Sequence, residues 1–378
     1  MKLFGKEEVN ISRQFEFDMA KAVCIIGMVF VHCFEELPMS ESLENGTASY
    51  IFLTILNTIF GAGTFMISMG LGIAYSWKGN ADKLIKRGIL LFVLGYVLNA
   101  ARCGILETVL AFTTKPDLKT YLTTSYFLDD ILQFAGMALL FFGLLKKLHF
   151  SDLALFITAF AMSTVGSFFR FLDLGSQELN MFLGVLIGTV DPVNPNAFAP
   201  FPLSNWFIIV VLGYLYAKAL RRCTNIKKYY AISFPVSAVL LVAYMAFAVP
   251  LKLGIFNDDM NYYYQLTVPE TLVLLTGAVF ATGLYHYVSL LFSNPIKKAI
   301  EKISVNLNKI YLIHWVILGN LSVVLKNSNK ELTNGWLLLA LGTAIFVVSV
   351  LIAEAIPSRK EKKNIVAEKG KADIHDNH

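Results

Sequence analysis

The chain carries one long apolar stretch after another, and this succession restricts the fold more than any single motif. A helix needs about 20 apolar residues to cross the hydrocarbon core of a bilayer. On that rule, spans fall near 17–37, 50–77, 88–106, 127–145, 152–172, 205–220, 229–250, 268–292, 303–325 and 334–356. Only 16% of the residues are charged, against roughly a quarter in soluble globular proteins. The reading is an all-α, polytopic integral membrane bundle of about ten transmembrane helices. The stretch 179–190 is too short to cross and is read as re-entrant or packed in an outer loop. Residues 1–16 form a leading cytoplasmic segment, 17–356 the membrane domain, and 357–378 a polar tail expected to be disordered.

Basic residues orient the bundle. With the N-terminus inside, 23 Lys and Arg fall in inner segments and five in outer loops (Lys115, Lys119, Lys252, Lys326 and Lys330). Such asymmetry predicts cytoplasmic N- and C-termini in the plasma (inner) membrane. The net charge of +5 is explained by this sorting and does not point to nucleic acid. No small-residue cleavage site follows the first apolar stretch, so it is read as an uncleaved anchor. Four scattered cysteines, Cys24, Cys33, Cys103 and Cys223, show no metal spacing. They are read as buried thiols, with a Cys33–Cys103 bridge as the alternative.

The first stretch, Arg13 to Glu36, holds a polar ladder. Lys21 and His32 lie eleven positions apart, which places both on one helical face about 16 Å apart along the axis. Asp18 precedes Lys21 by one turn as its natural i,i+3 partner, and Glu35 and Glu36 follow His32. Ionisable groups in a span need partners in the interior or a water-filled cavity. A histidine titrates near neutral pH, and a carboxylate one turn away can orient it, so His32 with Glu35 has the makings of a general base. The alternative is an interfacial histidine that is merely hydrogen-bonded. Lys21 reads either as an ion-paired anchor or as a contact for an anionic ligand.

Other residues add to the inventory. Lys83, Lys86 and Arg87 open the third span, where phosphate binding competes with plain charge sorting. Upstream, Ser68, Gly70, Gly72 and Ala74 give small-residue spacings that let helices approach closely. Asn99 and Arg102 end the third span while Asp129, Asp130 and Gln133 open the fourth. A short helical hairpin would bring them together near His32, as a salt bridge or as part of a site. His314 lies about 16 Å into its span and is either a packing hydrogen bond or functional. His149 and His286 read as unremarkable interfacial residues. The segment NYYYQ, Asn261 to Gln265, is read as an interfacial belt in preference to a sugar-stacking surface. No Walker loop, GxGxxG, HExxH or GxSxG is present, so nucleotide hydrolysis and zinc chemistry have no support.

Taken together, Lys21-x10-His32 in FDMAKAVCIIGMVFVH resembles the R/K-x10-H opening of the acyltransferase-3 family and its heparan-α-glucosaminide N-acetyltransferase-like and YeiB-like relatives. GTFMISMGLGIAYS followed by KLIKRG, DDILQFAGMALLFFGLLKK, FPLSNWFIIVVLGYLYAK and KISVNLNKIYLIHW agree in order, over most of residues 13 to 325. The resemblance implies a membrane acyltransferase that uses acetyl-CoA as co-substrate, needs no metal, and delivers the acyl group to a hydroxyl or amine, often of a glycan or glycolipid outside. It implies His32 as the catalytic histidine, Lys21 as its basic partner, and Lys86 and Arg87 as the motif that handles CoA. Where the relatives carry D-x-x-R-G and R-x-x-R, this chain has Asp18-Met-Ala-Lys21-Ala22 and Lys83-x-x-Lys86-Arg87, keeping the charge without arginine's bidentate geometry. Asp18, Arg102, Asp130 and His314 are expected to support substrate or structure. The competing reading is a transporter or flippase for a glycan or lipid-linked substrate, with His32 and His314 as a proton relay. Oligomeric state is left open.

Overall fold

A computed structural model describes residues 3–40, 61–75, 80–190, 200–257 and 260–357. The chain is helical, and no strand forms among the described residues. The acidic loop around Glu41 and Glu44, the start of the second span, the Pro-rich centre 191–199 and the tail 358–378 lie outside the described residues.

In chain order the helices are α1 (Phe15–Glu36), α2 (Ala62–Tyr75) and α3 (Ala81–Asn99), which continues through a π-helical turn (Ala100–Gly104) into α4 (Ile105–Thr113). A 3-10 turn (Pro116–Tyr121) leads to α5 (Leu122–Phe127), α6 (Ile131–Lys147) and α7 (Asp152–Phe168). Then come α8 (Gln177–Gly184), α9 (Leu203–Arg221) and α10 (Ile226–Ala248). The short α11 (Met260–Tyr264) precedes α12 (Val268–Ser289), α13 (Asn294–Asn327) and α14 (Gly335–Ala355). Among the described residues, eight helical segments are long and apolar enough to cross a membrane. The shorter α2 and α7 stand where the sequence placed two further spans. The 179–190 stretch forms only the short α8, as its length requires.

Local chemistry sets the boundaries. Asp130 and Gln133 form a reciprocal capping box at the start of α6, and Thr267 and Glu270 do the same for α12. Each pair satisfies amides that the first helical turn cannot. Lys146 and Lys147 close α6, and Lys218 and Arg221 close α9, complementing the negative end of the helix dipole.

Two helices form the buried axis. On α9, Trp206, Phe207, Ile209, Val210 and Val211 are all sealed from the surface. On α1, Cys24, Ile25, Val29 and Cys33 are equally enclosed, between α13, α12, α14 and α2. The outer helices turn apolar side chains outward, such as Ile89, Leu90, Val93 and Val97 on α3 and Val347, Val348, Leu351 and Ile352 on α14. Lipid solvates such faces and water does not.

Small residues allow the closest crossings, though only partly where the spacing suggested. A Cβ on Gly70 would fall 2.1 Å from the Val210 carbonyl oxygen, and one on Gly213 2.5 Å from that of Ile67, so α2 and α9 meet backbone to backbone. Gly72 has nothing within 4 Å and plays no such part. Gly88 and Gly136 bring α3 and α6 together in the same way.

Three local expectations need correction. The third span does not end near residue 106 in a short hairpin, because helix continues to Thr113 and α5 intervenes before α6. The four cysteines are free, so no Cys33–Cys103 bridge forms. The NYYYQ segment braces the interior: Tyr263 accepts the Ala62 amide at 3.0 Å, Trp206 Nε1 donates to the Tyr264 carbonyl at 2.6 Å, and Gln265 bonds Thr189 and Phe171.

Candidate active site

Helices α1, α3 and α13 run in the same direction, and this ties the two ends of the polar ladder to distant parts of the chain. At the start of α1, Asp18 accepts from Ser304 of α13 at 2.6 Å. At its end, Ser322 of α13 donates to the Glu36 carbonyl at 2.6 Å. Asn320 of α13 meanwhile reaches the Ala101 carbonyl beyond the end of α3 at 2.9 Å.

The histidine end is the more enclosed. His32 Nδ1 lies 3.2 Å from Glu35 Oε2, with side chains 17% and 29% exposed. The carboxylate can only accept, so Nδ1 carries the hydrogen and Nε2 is left with its lone pair. Trp315 tilts against the His32 ring with centroids 4.3 Å apart, and His314 stacks on it at 5.8 Å. Arg102 sits over the Trp315 ring at 4.5 Å and pairs with Asp130 at 3.0 Å. Thus His32, Glu35, Arg102, Asp130 and His314 are brought together, with Trp315 as the connecting ring.

The π-helical turn explains how Arg102 gets there. Its extra residue disturbs the backbone ladder, and the Asn320 amide takes up the Ala101 carbonyl, satisfying a group that would otherwise be stranded. A Cβ on Gly319 would fall 2.5 Å from the Arg102 carbonyl oxygen, so only glycine lets α13 pass this turn. Asn99 does not join the cluster. It donates to the carbonyls of Tyr126 and Leu128, while Asp129 accepts from Tyr96 at 2.8 Å.

The basic end departs from expectation in its pairing. Arg13, not Lys21, takes the Asp18 carboxylate. This hydrogen bond raises the pKa of Arg13 against the opposing cost of burial. Lys21 is half-buried, within electrostatic range of Asp18, Arg13 and Arg87. It makes no hydrogen bond or ion pair among the described residues. Lys86 and Arg87 lie exposed on the first turns of α3. This end therefore presents three cations, one of them recessed into the bundle on the face that leads to His32.

Sequence reasoning passed over two features. His286 pairs with Glu16 at 2.7 Å and stacks on Tyr230 at 4.5 Å, so it is a half-buried partner of a buried glutamate and not an idle interfacial residue. The signal was a glutamate at the very start of an apolar stretch, which needs a partner. Trp315 was hidden because an aromatic in a span is usually packing.

A family model described as an acyltransferase domain matches residues 14–354. No curated protein and no solved structure matches the chain.

Proposed function

The chain belongs to the acyltransferase-3 family, whose acyltransferase domain covers residues 14–354, and on that premise we propose how this membrane acyltransferase works. It moves an acetyl group from cytoplasmic acetyl-CoA to a hydroxyl or amine of an acceptor at the outer face of the plasma membrane, a glycan, glycolipid or other small molecule. The observation that carries the reading is the His32–Glu35 pair, enclosed by Trp315 and His314, with His32 on the same face of α1 as Lys21.

The division of labour follows from the two ends. Lys86 and Arg87, exposed at the mouth, meet the CoA phosphates, and the recessed Lys21 guides the donor inward. Lys21 and His32 are about 16 Å apart along the helix, and an extended pantetheine arm spans roughly 15–20 Å, so the thioester carbon reaches the histidine end. There His32 Nε2 takes the proton of the acceptor hydroxyl or amine as that atom attacks the thioester carbonyl. The C–S bond breaks, and the proton passes to the departing thiolate. Glu35 holds the transient imidazolium, and Arg102 provides positive charge where the carbonyl oxygen becomes anionic. Asp130 fixes the guanidinium.

Purified protein given acetyl-CoA labelled in the acetyl group tests this. The expected outcome is release of free CoA thiol with label leaving as acetate or acetylated acceptor. Intact acetyl-CoA, with movement of a glycan or lipid-linked substrate across a vesicle membrane, would instead establish the transporter.

A further inference from the structure

His314 has no assigned part in that reaction, yet its bonding is half complete. The side chain is 0% exposed, and Nδ1 lies 3.1 Å from the Ile310 carbonyl oxygen. A carbonyl only accepts, so Nδ1 carries the hydrogen. No carboxylate touches the ring among the described residues, and a fully buried imidazole without one is neutral. Nε2 is then a bare lone pair, and among the described residues it is buried with no hydrogen-bond partner. Buried polar groups are almost always satisfied, so this atom calls for a donor.

Its neighbour is His32. The two rings are nearly parallel, 12° apart, with centroids 5.8 Å from one another. Each is bonded through Nδ1, His32 to Glu35 and His314 to its own helix, so each offers Nε2. Only His32 has a carboxylate to hold the charge that follows proton abstraction. His314 can accept a hydrogen bond but has nothing to stabilise an imidazolium, which makes it an orienting group.

We propose that His314 Nε2 accepts a hydrogen bond from a second donor on the acceptor, next to the group that His32 deprotonates. The inference rests on the acyl-transfer reading above and narrows it. The site selects acceptors with two neighbouring donors, as in the vicinal diol or hydroxy-amine of a sugar, over acceptors with one.

Two small nucleophiles isolate the second donor. Hydroxylamine attacks acetyl-CoA through nitrogen, forming the C–N bond of acetohydroxamic acid as the C–S bond breaks and CoA thiol leaves, and it carries an adjacent O–H. O-methylhydroxylamine has the same attacking nitrogen and no O–H. The readout is the ratio of their kcat/KM values in purified protein, corrected for the uncatalysed reaction. In His314→Phe the ratio should fall roughly 2- to 10-fold, the value of one neutral hydrogen bond. In His314→Gln, whose amide oxygen can accept in place of Nε2, it should stay near that of the wild type. An unchanged ratio in His314→Phe, an equal fall in both variants, or a wild type that hydrolyses acetyl-CoA but acetylates neither nucleophile overturns the proposal alone. A wild type that cleaves no acetyl-CoA overturns the acyl-transfer reading and this one with it.

Discussion

Replacing Glu35 by Gln keeps a hydrogen-bonding partner beside His32 and removes the charge. The two groups are 3.2 Å apart. A unit charge pair at that distance interacts by about 5 kcal/mol at an effective dielectric of 20 and by about 1.3 kcal/mol in bulk water. With the side chains 17% and 29% exposed, the environment lies between these limits, and about 2–4 kcal/mol is the working figure. That stabilisation exists only while the imidazole is protonated, so it belongs to the transition state and not to bound donor. Glu35→Gln should therefore lower kcat by roughly 30- to 1000-fold while leaving the KM for acetyl-CoA nearly unchanged. Continuous detection of CoA thiol release at saturating donor measures both. A kcat within about threefold of the wild type would show that Glu35 does not stabilise charge on His32, and the base assignment would lose its support.

Other outcomes are expected. Gly70→Ala should lower the thermal midpoint of the purified protein, since overpacking of this kind costs about 1–3 kcal/mol, whereas Gly72→Ala, with open space around it, should be neutral or slightly stabilising. Lys86→Ala with Arg87→Ala should weaken acetyl-CoA binding in calorimetry and flatten its dependence on salt, and unchanged affinity would return both residues to charge sorting. The Asp173 carboxylate accepts from Asn180 and from the Gly175 amide, which hold its pKa below the ordinary carboxylate value. A depressed folded pKa stabilises above the unfolded value, and that contribution is lost as pH falls through the folded one. The midpoint gap between wild type and Asp173→Ala should thus be open near neutral pH and close below about pH 4.

The first helix was legible because its information is local. The eleven-residue interval fixes Lys21 and His32 on one face whatever surrounds them, and Glu35 reaches His32 from the next turn. The long apolar stretches were legible for the same reason, since their length follows from bilayer thickness. Pairings between distant segments were not. Arg13 takes Asp18 from outside the helix, where its chain can fold back, so the i,i+3 rule named the wrong partner. Glu16 and His286 are 270 positions apart, and no periodicity connects them. Gly70 and Gly72 look alike in sequence, but only the helix opposite decides which one meets a backbone. The π-helical turn at Ala100–Gly104 has no composition of its own. It follows from Arg102 meeting Trp315 and Asp130 while Gly319 lets α13 pass. The meeting of Arg102 with Asp130 was anticipated, but through a hairpin that does not exist.

The central claim is that His32 is the base for acyl transfer, and His32→Gln addresses it most directly. The amide can hydrogen-bond to Glu35 but cannot take a proton. Donor binding and thiol release should be measured on the same preparation of folded variant. The expected result is acetyl-CoA affinity within about twofold of the wild type and thiol release slowed by roughly 100-fold or more, the usual worth of a positioned general base. Thiol release by His32→Gln at close to the wild-type rate would contradict the account.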